Sequence, residues 1–250
     1  MIPYNKLIKA LDDRKTRIKE GLFVLEGPKL LQEALSAKLK LRAVVVSETA
    51  KETELIYAAQ KACPVYRVST KEFLMLSSTV TPQGVLSIAE MPQYTLVDIN
   101  PEPFFLVVDG IQDPGNLGTL FRSALASGAG GIILLKNTVD PFNPKVVRSA
   151  MGALFKLPFV FEVLPEELKG FSSELWAAVL DGAKPYYEIQ PQKGVGIIIG
   201  NEGNGISTKT AQLAKHRVHI PIDPRSESLN AATAAGVLLF YLRKELLEKS

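Results

Sequence analysis

Short apolar runs alternate with stretches of helical spacing along this chain. Over the first 90 residues the pattern predicts helices at 5–19, 28–36 and 52–61, and strands at 22–25, 42–46, 65–68 and 85–89. Helices set between short apolar strands indicate a compact α/β unit with a covered sheet. Residues 77–84 carry loop chemistry, punctuated by Thr81, Pro82 and Gly84. Residues 91–103 hold Pro92, Pro101 and Pro103 among polar residues, the composition of an extended connection. The chain therefore divides into a domain at 1–95, a linker at 96–103 and a domain at 104–250.

The second domain opens on a buried-strand run at 104–108, followed by a helix at 115–127, a strand at 131–135 and a helix at 144–151. Strands at 175–180, 195–199 and 218–220 precede a final helix at 228–249. In that helix Leu229, Thr233, Val237, Phe240 and Lys244 recur at helical spacing and make one largely apolar stripe. The alternation predicts an α/β domain built on a mostly parallel sheet.

Composition narrows the class. Hydrophobic residues are 46% and charged residues 22%, which excludes a disordered or fibrous chain. No apolar run approaches the roughly 18 residues of a membrane-spanning helix. The charged stretch at 1–20 lacks the apolar segment of a signal peptide, so a cytoplasmic location is expected. Cys63 is the only cysteine, which excludes a Cys-rich metal cluster; beside Pro64 it reads as a buried small hydrophobe. The net charge is only +3, but residues 1–97 hold 14 Lys and Arg against 10 Asp and Glu, and the remainder 15 against 16. Lys6, Lys9, Arg14, Lys15, Arg17 and Lys19 lie on or near the first predicted helix. Such a cluster suits phosphate contacts, and equally a solvated helix face. Tyr4, Phe23 and Tyr66 read as core residues rather than stacking platforms.

Parallel α/β sheets bind ligands in the loops beyond the carboxyl ends of their strands, and three such loops in this chain are unusual. The first, DGIQDPGNLG at 109–118, leads into TLFR at 119–122. Asp113-Pro114-Gly115 makes a tight turn and Asn116 sits where a helix N-cap would be. Arg122 follows six positions later, roughly on the same side and badly placed for the helix dipole unless an anion faces it. The second loop, IIIGNEGNGIS at 197–207, runs a hydrophobic strand into three glycines. Its spacing is not that of a dinucleotide fingerprint, and Glu202 within it would repel a pyrophosphate. That carboxylate instead suits a cation or hydroxyl donors. The third, IPIDPRSESLN at 220–230, leads into AATAA at 231–235. Ser228 is a candidate N-cap, Asn230 would point from the first turn, and the alanines allow close packing of a backbone or a flat ligand.

Taken in order and spacing, DGIQDPGNLGTLFRSA, IIIGNEGNGIS and IPIDPRSESLNAATAA resemble the three motifs of the SpoU (TrmH-like) RNA ribose methyltransferases of the SPOUT superfamily. The resemblance runs from about Phe104 to the C-terminus. FVLEG at 23–27 and TPQGV at 81–85 resemble the substrate-binding domain often fused before that catalytic domain. The fold implied is α/β: a C-terminal SPOUT α/β-knot (deep trefoil knot) domain, preceded by a small α/β ribosomal-protein-like RNA-binding domain. The resemblance implies S-adenosylmethionine as cofactor and a ribose 2′-hydroxyl of structured RNA as acceptor, ribosomal (23S rRNA) first and transfer RNA second. It also implies a homodimer whose active site is completed at the interface. Cofactor contacts would fall on Leu180, Gly200, Asn201, Gly205, Ile220, Ile222, Ser228 and Leu229, largely through backbone groups. Asn116, Arg122, Glu202, Ser228 and Asn230 match the family's polar catalytic positions, and no metal is implied. Lys6, Lys9, Arg14, Lys15 and Arg17 are the candidate RNA contacts.

The chemistry sets its own demands. A ribose hydroxyl is a weak acid, so its proton must leave as the methyl arrives, along an in-line path. His216 and His219 lie outside the matched active-site positions, which argues against a histidine base. An arginine is a poor base, with a pKa above about 12. Arg122 is therefore read as a phosphate clamp that helps remove or stabilise the hydroxyl proton, and Glu202 as a residue orienting Arg122 or Asn116. Two other classes compete. A non-catalytic RNA-binding or ribosome-assembly protein would not need the intact polar set. A nicotinamide enzyme lacks its GxGxxG after the first strand.

Overall fold

A computed structural model describes residues 4–51, 53–171, 174–180 and 183–248. The chain forms two compact units: residues 1–93 with 142–156, and residues 94–141 with 157–250.

The first unit begins with α1 (Tyr4–Ala10) and α2 (Arg14–Glu20), where the periodicity predicts one continuous helix. Asp13 breaks it. Its carboxylate accepts the Thr16 N–H at 2.8 Å and caps a new helix. The carbonyls of Leu11 and Asp12 at the break are satisfied by the Arg17 guanidinium, at 2.8 Å each. Arg17 is therefore only 3% exposed and structural, which removes it from the candidate phosphate contacts. Then come β1 (Leu22–Glu26), α3 (Pro28–Ser36), β2 (Leu41–Ser47), α4 (Glu54–Ala62), β3 (Val65–Val68), α5 (Thr70–Leu76) and β4 (Val85–Glu90). Glu52, the expected start of α4, lies outside the described residues, as do residues 1–3 of the charged N-terminal stretch. The unanticipated α5 is fixed by a capping box, Ser69 and Glu72 exchanging side-chain-to-backbone bonds. The sheet order is β1-β4-β2-β3, antiparallel except for β2 with β3. One face packs Ile8, Leu11, Val45, Phe73 and Leu86. The Tyr4 and Tyr66 rings meet at a tilt beside it, centroids 5.3 Å apart, and Cys63 is half-buried rather than enclosed.

The second unit starts at β5 (Phe104–Asp109), α6 (Pro114–Ser127) and β6 (Ile132–Leu135). The chain then leaves this unit: Phe142–Lys156, with α7 (Pro144–Ala150), clusters with the first. The Phe142 ring packs against Phe23 of β1, centroids 4.9 Å apart and tilted by 55°, both buried. The stretch 104–250 is thus not one continuous unit, because an aromatic anchor draws part of it away. The chain returns as β7 (Phe159–Val163), β8 (Leu175–Ala178), β9 (Lys184–Pro185), β10 (Val195–Gly200), α8 (Thr208–Ala211), β11 (His216–His219) and α9 (Ala231–Arg243). The seven-stranded order is β7-β6-β5-β10-β8-β11-β9, parallel throughout. Phe104–Val108 are each 0% exposed, as expected for strands covered on both faces.

Asn230, not Ser228, caps α9: its Oδ1 accepts the Ala232 and Thr233 N–H groups at 2.9 and 3.2 Å. The helix ends at Arg243 in a π-turn over Lys244–Glu248, and Lys249 lies outside the described residues. The buried side of α9 carries Ala232, Ala235, Leu239 and Leu242. Of the predicted stripe, Thr233, Val237, Phe240 and Lys244 are exposed, Phe240 at 48%, whereas Leu229 lies before the helix begins.

Candidate active site

Adjacent strands β5, β10, β8 and β11 end on the same side, and the three unusual loops leave from three of these ends. A cavity of about 590 Å³ opens there, a size typical of small-molecule sites. Leu180, Gly200, Asn201, Gly205, Ile220, Ile222, Ser228 and Leu229, the eight residues expected to contact the cofactor, all line it. Ala231, Ala234 and Leu238 of α9 contribute an apolar wall, consistent with the small residues of AATAA.

The loop after β10 folds on itself. Asn201 and Gly205 exchange two backbone bonds of 2.9 Å each. A Cβ at Gly200 would lie 2.3 Å from the Gly205 carbonyl carbon, so only glycine permits this approach. The Asn201 Oδ1 accepts the N–H groups of Gly203 and Asn204, and its Nδ2 donates to the Gly110 carbonyl at 2.7 Å. Asp109, at the end of β5, accepts the Ser207 N–H at 2.8 Å. The first and second loops are therefore cross-tied at both ends.

At the start of α6, Asp113 is the N-cap, accepting the Asn116 N–H at 2.8 Å. Asn116 sits inside the first turn, and its amide is free for other bonds. Its Nδ2 donates to Glu202 Oε1 at 2.8 Å, and its Oδ1 accepts from Asn230 Nδ2 at 2.9 Å. One residue from each loop thus joins a single chain, Asn230 to Asn116 to Glu202. Glu202 also accepts the main-chain N–H groups of Gln112 and Asp113, both at 3.4 Å. Partial desolvation pushes the Glu202 carboxyl up. The bonds from Asn116 and the backbone outweigh it and hold the group below the ordinary carboxylate range.

Arg122 does not join this chain. It is exposed and makes no hydrogen bond or ion pair among the described residues. Six positions rotate a helix by about 600°, which turns Arg122 roughly 120° away from Asn116. Of the two partners considered for Glu202, the bonds go to Asn116. Ser228 lines the cavity without capping a helix. The candidate contacts Lys6, Lys9, Arg14 and Lys15 are exposed on α1 and α2. Arg217, not singled out in the sequence, and His219, set aside there as a base, both line the cavity from β11; His219 Nδ1 lies 3.1 Å from the Ala183 carbonyl. The position of His219 at the end of β11 was the available signal.

A model of the SpoU rRNA Methylase family matches residues 103–240, and one of the MRM3-like substrate binding domain matches residues 3–87. The chain is 33% identical over 238 residues to the 23S rRNA (guanosine(2553)-2'-O)-methyltransferase RlmP of Bacillus subtilis, covering 94% of each protein. It is similar to an AdoMet-bound rRNA methyltransferase from Sinorhizobium meliloti, with a TM-score of 0.88, 33% identity and coverage of 98% and 96%. The AdoMet complex of the SpoU methyltransferase AviRb from Streptomyces viridochromogenes matches at 0.88 with 25% identity, covering 98% of each chain. With most of the second domain matched by the family model and a relative above 30% identity along nearly its whole length, this chain belongs to the SpoU rRNA methylase family.

Proposed function

We propose that this protein transfers a methyl group from S-adenosylmethionine to a ribose 2′-hydroxyl in structured ribosomal RNA, 23S rRNA foremost. The observation that carries this reading is the cavity at the strand ends, bounded by the second and third motif loops and tied to the first by the Asn230–Asn116–Glu202 chain. Its mixture of backbone polar groups, small residues and aliphatic side chains fits an adenosyl group. Backbone groups around Gly200, Gly205, Ile220 and Leu229 would hold the cofactor, with Leu180 and Ile222 supplying apolar contact. Asn201 and Ser228 would add polar contacts.

S-adenosylmethionine, when bound, supplies an electrophilic methyl group on a sulfonium. The chain's own residues then have three tasks. Glu202, held ionised by its donors, anchors Asn116 and is a weak base for a ribose hydroxyl. Asn116 and Asn230 keep fixed amide dipoles beside the cavity, costing little reorganisation as charge develops. Arg122, exposed and uncommitted among the described residues, clamps an RNA phosphate and so holds the hydroxyl in line while its proton passes to solvent water.

Lys6, Lys9, Arg14 and Lys15 would meet RNA phosphates through charge and shape. The outward stripe of α9, Val237 and Phe240, is the proposed contact with a second copy. A trefoil knot between the second and third motifs and a cytoplasmic location complete the reading. Among the described residues no helix is long and apolar enough to cross a membrane.

Calorimetric titration with S-adenosylmethionine, with NAD in parallel, tests the cavity assignment. Micromolar binding of the first alone is expected, and NAD binding instead would overturn it. Radiolabelled transfer to unmodified ribosomal RNA tests the reaction. Arg122→Ala should abolish transfer, by about a hundredfold or more, with cofactor affinity nearly intact. Loss of both together would rule out Arg122 as the phosphate clamp.

A further inference from the structure

Gln112 has no place in the reaction as described, yet it holds the loop that holds Glu202. Its side-chain Nε2 donates to the Asn137 carbonyl and, at 3.3 Å, to the Gly110 carbonyl. Asn137 adopts a left-handed φ of 72°, a conformation that asparagine tolerates better than most residues. The neighbouring backbone adds two ties between the same loops. Val139 N–H donates to Ile111 O at 2.9 Å, and Gly110 N–H to Thr138 Oγ1 at 3.1 Å. Gly110 O also receives Asn201 Nδ2 from the other side. The segment 110–113 is thereby clamped between the 137–139 loop and the loop after β10. It presents two successive N–H groups to one carboxylate.

We propose that Gln112 is a positioning residue for methyl transfer. By tying segment 110–113 to Asn137, its side chain aims the main-chain N–H groups of residues 112 and 113 at Glu202. This fixes the chain from Glu202 through Asn116 to Asn230. The inference rests on the proposed methyltransferase activity.

The chain has only one consistent polarity. Glu202 accepts only, so Asn116 must present its NH2 to it and its oxygen to Asn230. Asn230 in turn must give its NH2 to Asn116 and keep its oxygen on the α9 N-terminus. A carboxylate that drifts loses this control over both amides. Gln112 is exposed, so removing its side chain leaves no core cavity.

The test is steady-state methyl transfer by the full chain, with cofactor affinity and melting temperature measured alongside. Gln112→Ala should lower kcat about tenfold, short of the roughly hundredfold cost of a full 1 Å misplacement. KM for RNA and cofactor affinity should stay within about twofold, since the side chain does not line the cavity. Gln112→Glu should lose more than the alanine variant, because a carboxylate would face two carbonyl oxygens. On a Glu202→Gln background, Gln112→Ala should add almost nothing to the loss. A side chain that only staples the loop gives additive effects instead. Full kcat in Gln112→Ala, or an undiminished effect on the Glu202→Gln background, overturns the proposal. Absence of transfer by the unaltered protein overturns the proposed function, and this role with it.

Discussion

Two carboxylates, one in each unit, gather donors in different ways. Glu26 at the end of β1 accepts from the hydroxyls of Ser77, Ser78 and Thr79 and from the Ser78 N–H. Glu202 after β10 accepts from one side-chain amide and two backbone N–H groups. Desolvation raises both groups, and in both the hydrogen bonds win and lower them. Their surroundings differ. The space beside Glu26 is about 10 Å³, at the threshold for a single water. Glu202 borders a cavity of about 590 Å³. The donors to Glu26 are consecutive residues of one loop, so the group is a lock on that loop. The side-chain donor to Glu202 passes its polarity on to another loop, so the group organises a site. A lowered carboxyl is therefore no guide to function by itself; where its donors lead is the better guide.

The sharpest way to break this comparison is to neutralise both. Glu202→Gln should reduce transfer about a hundredfold, with a smaller fall in melting temperature than Glu26→Gln gives. Glu26→Gln should leave transfer per folded molecule within twofold, but cost about 1–2 kcal/mol, a few degrees of melting temperature, through lost charge-assisted bonds. Equal activity losses would end the distinction. Asn230→Ala should combine the two behaviours, since the residue is both relay and cap. A loss of about 1 kcal/mol and roughly tenfold in kcat is expected, read by denaturant unfolding and transfer rates.

Smaller effects should separate the basic residues. Arg17→Ala should destabilise by about 1–3 kcal/mol by orphaning the Leu11 and Asp12 carbonyls. Lys15→Ala should leave stability alone, weaken RNA binding and lower the salt slope by about one. If Arg17→Ala also changed the salt slope at constant fold, its structural assignment would be wrong. The finest discriminator is acid titration. A carboxyl lowered in the folded state contributes stability above its unfolded pKa and loses it as pH falls through the folded value. Both glutamates should keep their contribution down to the ordinary value of 4.5 and lose it below that. Melting curves of Glu26→Gln and Glu202→Gln should each show a flatter fall in that acid range.

Much of the architecture was legible because parallel, doubly covered strands read as unbroken apolar runs such as Phe104–Val108. The motif loops were legible because glycine, proline and asparagine announce turns at strand ends. Caps were misplaced by two or three residues, since Asp113 and Asn230 compete with near neighbours of equal capping propensity. The α9 stripe was visible as a pattern but not as an outward face. Sequence gives period and amphipathicity, whereas contact with α6 and β10 decides which side of a helix is buried.

The sequence by itself determined the strand and helix alternation, the three loops and the residue types available for chemistry, because these are local properties. Only the tertiary structure decided that Arg17 serves a helix break and that residues 142–156 cluster with the first unit. Tertiary structure alone also decided that Asn116 links Glu202 to Asn230. The last two outcomes join residues 114 positions apart, as in Asn116 and Asn230, and 123 apart, as in Glu33 and Lys156, and such long-range pairing depends on how elements pack rather than on any local preference.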